Sequence, residues 1–203
     1  CLLFPLLAAG VHFLLGTGVL LSFGHAAFLA FGAYASALFV SKFGTGMEVA
    51  LLIAPVAGLV GAAIIGWFAV RLSGVYLAML TLAGAQLIWS TSVQWQSVTG
   101  GDDGILGVWP AAWASGPTAF YYLTLALAAI VFVGLKLLSD GKFGFSLRAT
   151  RDHASRAAAI GIDVITQRWI AVMISGAIAG LAGGLYVFSK GSIFPDIAAI
   201  PQS

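Results

Sequence analysis

The stretch VALLIAPVAGLVGAAIIGWFAV, residues 49–70, is 22 residues long and contains no charged side chain. A spanning helix needs about 20 apolar residues, because each residue adds about 1.5 Å across a hydrocarbon core about 30 Å thick. The strands of closed membrane barrels are shorter, about 10 residues, and alternate in polarity. The stretch therefore predicts a membrane-spanning α-helix.

The rest of the chain has the same character. Hydrophobic residues make up 61% of the 203 residues and charged residues 8%, against about 25% charged in soluble domains. The mean hydropathy of +1.04 is spread over the length. Six apolar segments can be drawn, at residues 1–21, 22–40, 49–70, 72–90, 119–138 and 169–188. We predict an all-α, polytopic transmembrane bundle forming one membrane domain over residues 1–203. The start at Cys1 rather than Met leads us to expect part of a longer protein with further spans.

The basic residues predict the orientation of this bundle. Five of them lie in the connection between the fifth and sixth segments: Lys142, Arg148, Arg151, Arg156 and Arg168. Loops rich in Lys and Arg face the cytoplasm, so residues 139–168 are predicted to be cytoplasmic. The connection at residues 91–118 has no Lys or Arg and is predicted to be external.

Small residues recur every four positions in two segments. The third segment has Gly58, Ala62 and Gly66, and the sixth has Gly176, Gly180 and Gly184. Such faces allow helices to approach closely. We predict that these two helices are buried in the bundle or form a subunit contact.

The chain lacks the groups that would supply its own energy. All seven acidic residues lie outside the six segments, whereas ion-driven transporters use ionisable relays within the bilayer. His12 and His25 lie within segments, and hydrogen-bonded packing is favoured over proton transfer for both. No phosphate-binding loop of the G-x-x-x-x-G-K-[ST] type is present, so any ATP would be bound by a partner and this chain would carry no cofactor.

Other function classes are disfavoured as well. No catalytic motif is found, and the net charge of +2 does not indicate nucleic acid. A single cysteine and two adjacent aspartates supply too few ligands for a metal site. These features point to a transport or membrane-scaffold protein without catalytic residues or a metal.

The basic loop contains a predicted amphipathic helix, SLRATRDHASRAAAIG, residues 146–161. Two interpretations are open: a helix lying on anionic headgroups, and a coupling helix that binds a cytoplasmic partner. The alanine-rich apolar face favours docking, because it suits close protein contact better than deep lipid insertion. The candidate coupling residues are Arg148, Arg151, Asp152, Arg156 and Gly161.

The external connection contains TGGDDGILGV, residues 99–108. Glycines permit turns with positive φ, and aspartates bond exposed amides, so a structural turn is favoured. A contact with an external protein, or a lip of the substrate path, is the other interpretation. The residues concerned are Thr99, Gly100, Gly101, Asp102, Asp103 and Gly104.

Polar and aromatic residues inside the segments are candidates for a substrate path, although each can equally form an interhelical hydrogen bond. They are Ser22, His25, Tyr34, Tyr76, Thr81 and Gln86. A path without membrane charges suits a neutral or zwitterionic solute. Apolar amino acids and small amides such as urea both fit, and a self-sufficient channel or a structural subunit remains an alternative.

Three stretches together resemble one known family, the permease subunits of branched-chain amino-acid ABC importers. They are LSFGHAAFLAFGAYASAL (21–38), RLSGVYLAMLTLAGAQL (71–87) running into TGGDDGI (99–105), and LRATRDHASRAAAIGIDV (147–164) with the glycine-rich ISGAIAGLAGGLYVF (174–188). The resemblance covers most of the chain in the same order. Two positions depart from the family pattern: Ala158 replaces a glutamate often found there, and Gln86 replaces an acidic residue.

The resemblance implies a role and a set of partners. It implies an importer subunit in the inner (plasma) membrane of a prokaryote, working with a second permease subunit, a cytoplasmic ATPase dimer and an external solute-binding protein. The third stretch corresponds to the loop that couples to the ATPase. The lipid bilayer is the remaining expected partner.

Overall fold

The computed structural model describes residues 3–18, 25–71, 75–95, 99, 104–111 and 116–193. The long helices within these ranges are α1 (Leu3–Gly18), α2 (His25–Phe43), α3 (Met47–Ala69), α4 (Val75–Gln94), α5 (Pro117–Asp140) and α8 (Val164–Lys190). Two short helices, α6 (Lys142–Asp152) and α7 (Ala154–Ala159), connect α5 to α8. The strands β1 (Ile105–Leu106) and β2 (Ser192–Ile193) complete the described elements.

The all-α membrane bundle predicted from the sequence is confirmed. Four described helices are long and apolar enough to cross a membrane: His25–Phe43, Met47–Ala69, Thr118–Asp140 and Val164–Lys190. Shorter apolar helices, Pro5–Leu14 and Met79–Ile88, lie within α1 and α4. Each of the six predicted segments therefore corresponds to a helix, and the chain is a multi-pass membrane protein.

Helix α8 lies at the centre of the bundle and packs against α1, α2 and α3. Of its most apolar stretch 67% is buried, against 17% for α5 at the periphery. At about 1.5 Å per residue, its 27 residues extend for about 40 Å. This length exceeds the hydrocarbon core and places both ends of α8 near the membrane surfaces.

The small-residue faces of α3 and α8 pack against each other inside the bundle, which was one of the two alternatives, burial or a subunit contact, that the sequence left open. A Cβ atom added to Gly180 would lie 2.9 Å from the Cα atom of Gly58, and one added to Gly184 would lie 2.7 Å from the Cβ atom of Ala54. Gly176 faces Ala62 in the same way. The two backbones approach this closely because no side chains separate them.

The two ends of α8 are capped by different means. At the N-terminus, one carboxylate oxygen of Asp163 accepts from the backbone amides of Ile165 (3.1 Å) and Thr166 (3.2 Å), and the other accepts from the Thr166 hydroxyl (2.6 Å). At the C-terminus, Gly191 adopts φ 70°, a left-handed conformation that glycine enters without steric cost.

A short β-pairing follows that C-terminus, and the sequence did not predict it. Strands β1 and β2 pair antiparallel, with Ile105 opposite Ile193. The amides of Gly107 and Val108 donate to the carbonyl of Gly191, at 3.1 and 3.2 Å. This pairing ties the connection after α4 to the chain that leaves α8.

The prediction of one continuous helix over residues 146–161 is wrong. The chain forms two helices that meet at His153, whose φ of −149° and ψ of 88° are not helical. The last turn of α6 is tied to α8 here, because Arg168 donates to the carbonyl of Thr150 at 3.1 Å. Gly161, with φ 89°, follows α7 and turns the chain toward α8.

Candidate functional site: a cavity at one end of the bundle and an exposed helix pair at the other

A cavity of about 290 Å³ lies between α2 and α4. Helix α2 contributes Ala30, Phe31 and Tyr34 to its wall. The facing residues are Leu87, Ile88, Thr91 and Trp95 of α4 and its C-terminal extension, together with Thr99. The cavity is open on one side and is placed toward the end of the bundle that carries β1 and β2.

The wall of this cavity is apolar with a few hydroxyl groups. The Thr91 hydroxyl donates to the Leu87 carbonyl at 2.7 Å, which leaves the lone pairs of its oxygen able to accept a hydrogen bond. Tyr34 adds a phenol that is almost fully buried. The described lining includes no Asp, Glu, Lys or Arg. Such a wall suits a small solute with an apolar part and a polar group.

The structure brings two of the predicted residues into this cavity, namely Tyr34 and Thr99. Three others lie on α4 outside its wall: Thr81 is buried, Gln86 is half-buried, and Tyr76 is 73% exposed. Ser22 and residues 100–103, which include Gly100, Gly101, Asp102 and Asp103, lie outside the described residues. Gly104 has φ 67° and immediately precedes β1.

Thr91 and Trp95 were not among the predicted site residues, and they lie just beyond the predicted fourth segment. A signal was present, because Leu87, Thr91 and Trp95 are four residues apart and therefore share one helix face. The partner face on α2 could not be assigned from periodicity alone.

His25 lies at a junction of three helices and is 4% exposed. Its Nε2 atom is 2.7 Å from the Ser175 hydroxyl of α8, and that hydroxyl donates to the Gly10 carbonyl of α1 at 2.9 Å. Because the serine hydrogen goes to Gly10, Nε2 is the donor toward Ser175. His25 is therefore hydrogen-bonded between packed helices, and it does not line the cavity.

The helix pair α6–α7 lies at the opposite end of the bundle. Arg151 donates to the Gly16 carbonyl near the end of α1 at 2.7 Å and lies 3.7 Å from Asp152. Arg148 points inward and donates to the Ser139 carbonyl. Two of the predicted coupling arginines therefore bind the chain's own backbone.

The outer surface of the pair carries the other predicted coupling residues. Asp152, Arg156 and Gly161 are exposed, and Ile160 beside them is 75% exposed. An apolar side chain at that exposure, flanked by a charged one, is suited to a protein contact. Ile160 was not among the predicted site residues.

The N-terminus of α8 carries a negatively charged side chain, that of Asp163. Hydrogen bonds from the side chain of Thr166, and then from the backbone amides of Thr166 and Ile165, hold the pKa of Asp163 below its ordinary value of 3.8. A carboxylate at this position also interacts favourably with the positive end of the helix dipole.

The family profile described as the branched-chain amino acid transport system permease component matches residues 2–203. The chain belongs to this family. Its described helices therefore form part of a transport permease, which agrees with the resemblance seen in the three sequence stretches.

The individual relatives are transport permeases as well. The high-affinity branched-chain amino acid transport system permease protein LivM of Salmonella typhimurium is 25% identical over the whole chain and 54% of its own length. The guanosine ABC transporter permease protein NupQ of Bacillus subtilis is 38% identical over 32% of the chain and 21% of its own length.

An archaeal relative matches over a similar fraction. The probable branched-chain amino acid transport permease protein LivH of Methanocaldococcus jannaschii is 39% identical over 34% of the chain and 22% of its own length. The chain spans about half the length of the LivM relatives it matches, 54%. No solved structure matches it.

Proposed function

We propose that this chain is a permease subunit of an ABC importer that moves a branched-chain or other apolar amino acid inward. A separate cytoplasmic ATPase drives the movement, and an external solute-binding protein delivers the solute. The cavity between α2 and α4 is the observation on which this proposal rests, because its wall is apolar and uncharged in the described residues.

The size and chemistry of the cavity favour an amino acid. Its volume of about 290 Å³ is just below the range of about 300–1,000 Å³ that is usual for small-molecule sites. The aliphatic side chain of leucine suits Ala30, Phe31 and Leu87, and the Thr91 oxygen can accept from the solute ammonium. A nucleoside such as guanosine, the solute named for one relative, is larger and presents more polar atoms.

The position of the cavity suits delivery from outside the cell. It lies at the end of the bundle opposite α6–α7, and the segment 139–168 carries the concentration of arginines that marks a cytoplasmic loop. In this orientation residues 91–118 face the external binding protein. The membrane is the inner (plasma) membrane of a prokaryote.

The exposed surface of Asp152, Arg156, Ile160 and Gly161 is the proposed contact with the ATPase. Arg148 and Arg151 attach the helix pair to α5 and α1 by hydrogen bonds. A movement of the ATPase at Ile160 would therefore be transmitted through the helix pair to the bundle. The cytoplasmic ATPase is proposed to be a dimer. A second permease subunit would then contact the second ATPase subunit and complete the pathway.

Substitution at the cavity wall tests the solute site. Thr91→Val keeps the shape of the side chain and removes the oxygen, so the KM for leucine uptake should rise about threefold to tenfold, the value of one hydrogen bond. Thr118→Val, at an exposed position on α5, is the control and should leave KM unchanged. Equal KM values for Thr91→Val and wild type would contradict the proposed solute contact.

Charge reversal tests the ATPase contact. Arg156→Glu should reduce the amount of cognate ATPase that co-purifies with the permease, whereas Lys142→Glu, at another exposed basic residue at the start of α6, should not. Full co-purification with Arg156→Glu would place the contact elsewhere.

A further inference from the structure

A second cavity, of about 450 Å³, lies between α1 and α5 and is bounded at one end by α6. It is separate from the proposed solute cavity and shares none of its described lining residues. It is partly open toward the periphery of the bundle, where α5 exposes Phe132, Val133 and Leu137. Exposed apolar side chains on a membrane-spanning helix are suited to contact with acyl chains.

The lining of this second cavity changes along its length. Ala9 and Phe132 form the part farthest from α6, and His12, Phe13, Leu135 and Lys136 form the middle. Gly16, Ser139 and Arg148 line the part nearest to α6. The positions from Phe132 to Ser139 cover seven residues of helix, or about 10 Å. Along α5 the lining therefore changes from apolar at Phe132 to cationic at Lys136 and Arg148 within about 10 Å. An acyl chain and its headgroup follow one another in the same order.

The guanidinium group of Arg148 is held in a fixed position at the cationic end of the cavity. One amino group of Arg148 donates to the carbonyl and hydroxyl oxygens of Ser139, and its guanidinium lies 5.1 Å from the ring centre of Phe145. Its other N–H groups have no hydrogen-bond acceptor among the described residues. Lys136 is an exposed residue that lines the same cavity from α5.

Lys136 and Arg148 form no ion pair with a carboxylate in the described part of the chain, and Asp140, one helical turn after Lys136 on α5, is exposed. The ion pair found in that part of the chain is the one between Arg151 and Asp152. The carbonyls near the C-terminal ends of α1 and α5 carry partial negative charge, and each end is contacted by an arginine. The cavity therefore retains positive charge for a ligand.

We propose that this cavity binds an anionic phospholipid of the leaflet next to α6, with its phosphate between Lys136 and Arg148 and the start of an acyl chain along Phe13 and Phe132. Basic pockets between spanning helices are suited to anionic headgroups. A small anion such as free phosphate would use the cations but leave the apolar part of the cavity unfilled. The proposal is independent of which solute the permease transports.

Bound lipid has a mechanical consequence for the permease. Arg148 belongs to α6, which joins the exposed surface around Ile160 to the bundle. A phosphate shared by Lys136 of α5 and Arg148 of α6 fastens the helix pair to α5. Anionic lipid should therefore rigidify the junction between the two helices.

Native mass spectrometry of the full-length chain in a non-ionic detergent tests the proposal. Dioleoyl phosphatidylglycerol, dioleoyl phosphatidylcholine and inorganic phosphate are titrated separately. We expect phosphatidylglycerol to bind more tightly than phosphatidylcholine. Lys136→Gln should weaken phosphatidylglycerol binding about fivefold, the effect of one basic residue near a charged headgroup.

The matched control is Lys142→Gln, which removes the same charge from an exposed lysine outside the cavity. It should leave phosphatidylglycerol binding unchanged. Equal weakening by both substitutions would show diffuse attraction and overturn the proposal. Phosphate that competes with phosphatidylglycerol at equal concentration would assign the cavity to a small anion and also overturn it, as would equal binding of the two lipids.

Discussion

Gly180→Ala adds one methyl group at the closest approach of α3 and α8. The new Cβ atom would lie 2.5 Å from the Ala54 carbonyl oxygen, 2.9 Å from the Gly58 Cα atom and 3.1 Å from its amide nitrogen. Carbon atoms pack at about 3.5–4.0 Å. The helices must therefore separate by about 0.6–1 Å, which removes a quarter to a half of the attraction between the atoms that line the contact.

We expect this overpacking to cost about 1–3 kcal/mol of unfolding free energy. Gly134→Ala on α5 is the control, because its Cβ atom meets nothing within 4 Å. Both substitutions change the helix propensity equally, so the difference between the two variants isolates the steric cost. The measurement is equilibrium unfolding of the full-length protein in mixed micelles. Equal stability of the two variants would refute the close contact between α3 and α8.

Three further predictions concern single residues. His25→Ala should lower stability by about 1–3 kcal/mol, through lost packing and the hydrogen bond to Ser175, while ATP-driven uptake by folded protein persists; lost uptake at unchanged stability would contradict a packing role. Asp163→Ala should speed amide exchange at Ile165 and Thr166 at neutral pH, while Asp163→Asn should not. Because the pKa of Asp163 lies below 3.8, its carboxylate caps the N-terminus of α8 above that pH, and the cap is lost as the pH falls through the lowered pKa. Unchanged amide exchange in the alanine variant would contradict this capping role. Ile160→Ser should keep stability within about 0.5 kcal/mol and abolish ATPase co-purification, and retained co-purification would exclude Ile160 from the contact.

The small-residue faces of α3 and α8 could be predicted from the sequence because their cause is local, whereas their contact with each other could not. Gly58, Ala62 and Gly66 form one helix face by spacing alone, and so do Gly176, Gly180 and Gly184. In a bilayer, close backbone approach is one of the few sources of attraction between apolar helices. The spacing therefore identified both faces before their partner relationship was known.

The break at His153 could not be predicted in the same way. The residues around it include neither Pro nor Gly, and the alanines that follow favour helix. The bond from Arg168 to the Thr150 carbonyl is made by the next helix. Such a tertiary contact leaves no local signal in residues 146–161.

Both cavities depend on how helices face one another. Tyr34 was recognised as a polar residue within a span, but its juxtaposition with Thr91 and Trp95 requires the relative rotation of α2 and α4. Likewise, Arg148 was assigned to a partner contact from its place on an amphipathic helix. Its bond to Ser139 depends on the fold of the turn between α5 and α6.

Leucine uptake into proteoliposomes tests the central claim most directly. The vesicles contain the full-length permease, its partner permease subunit and the cognate ATPase, with ATP inside and the solute-binding protein added or withheld outside. The account predicts uptake that requires both ATP and the binding protein. Leucine flux that is indifferent to both would contradict it and would assign the chain to a self-sufficient facilitator.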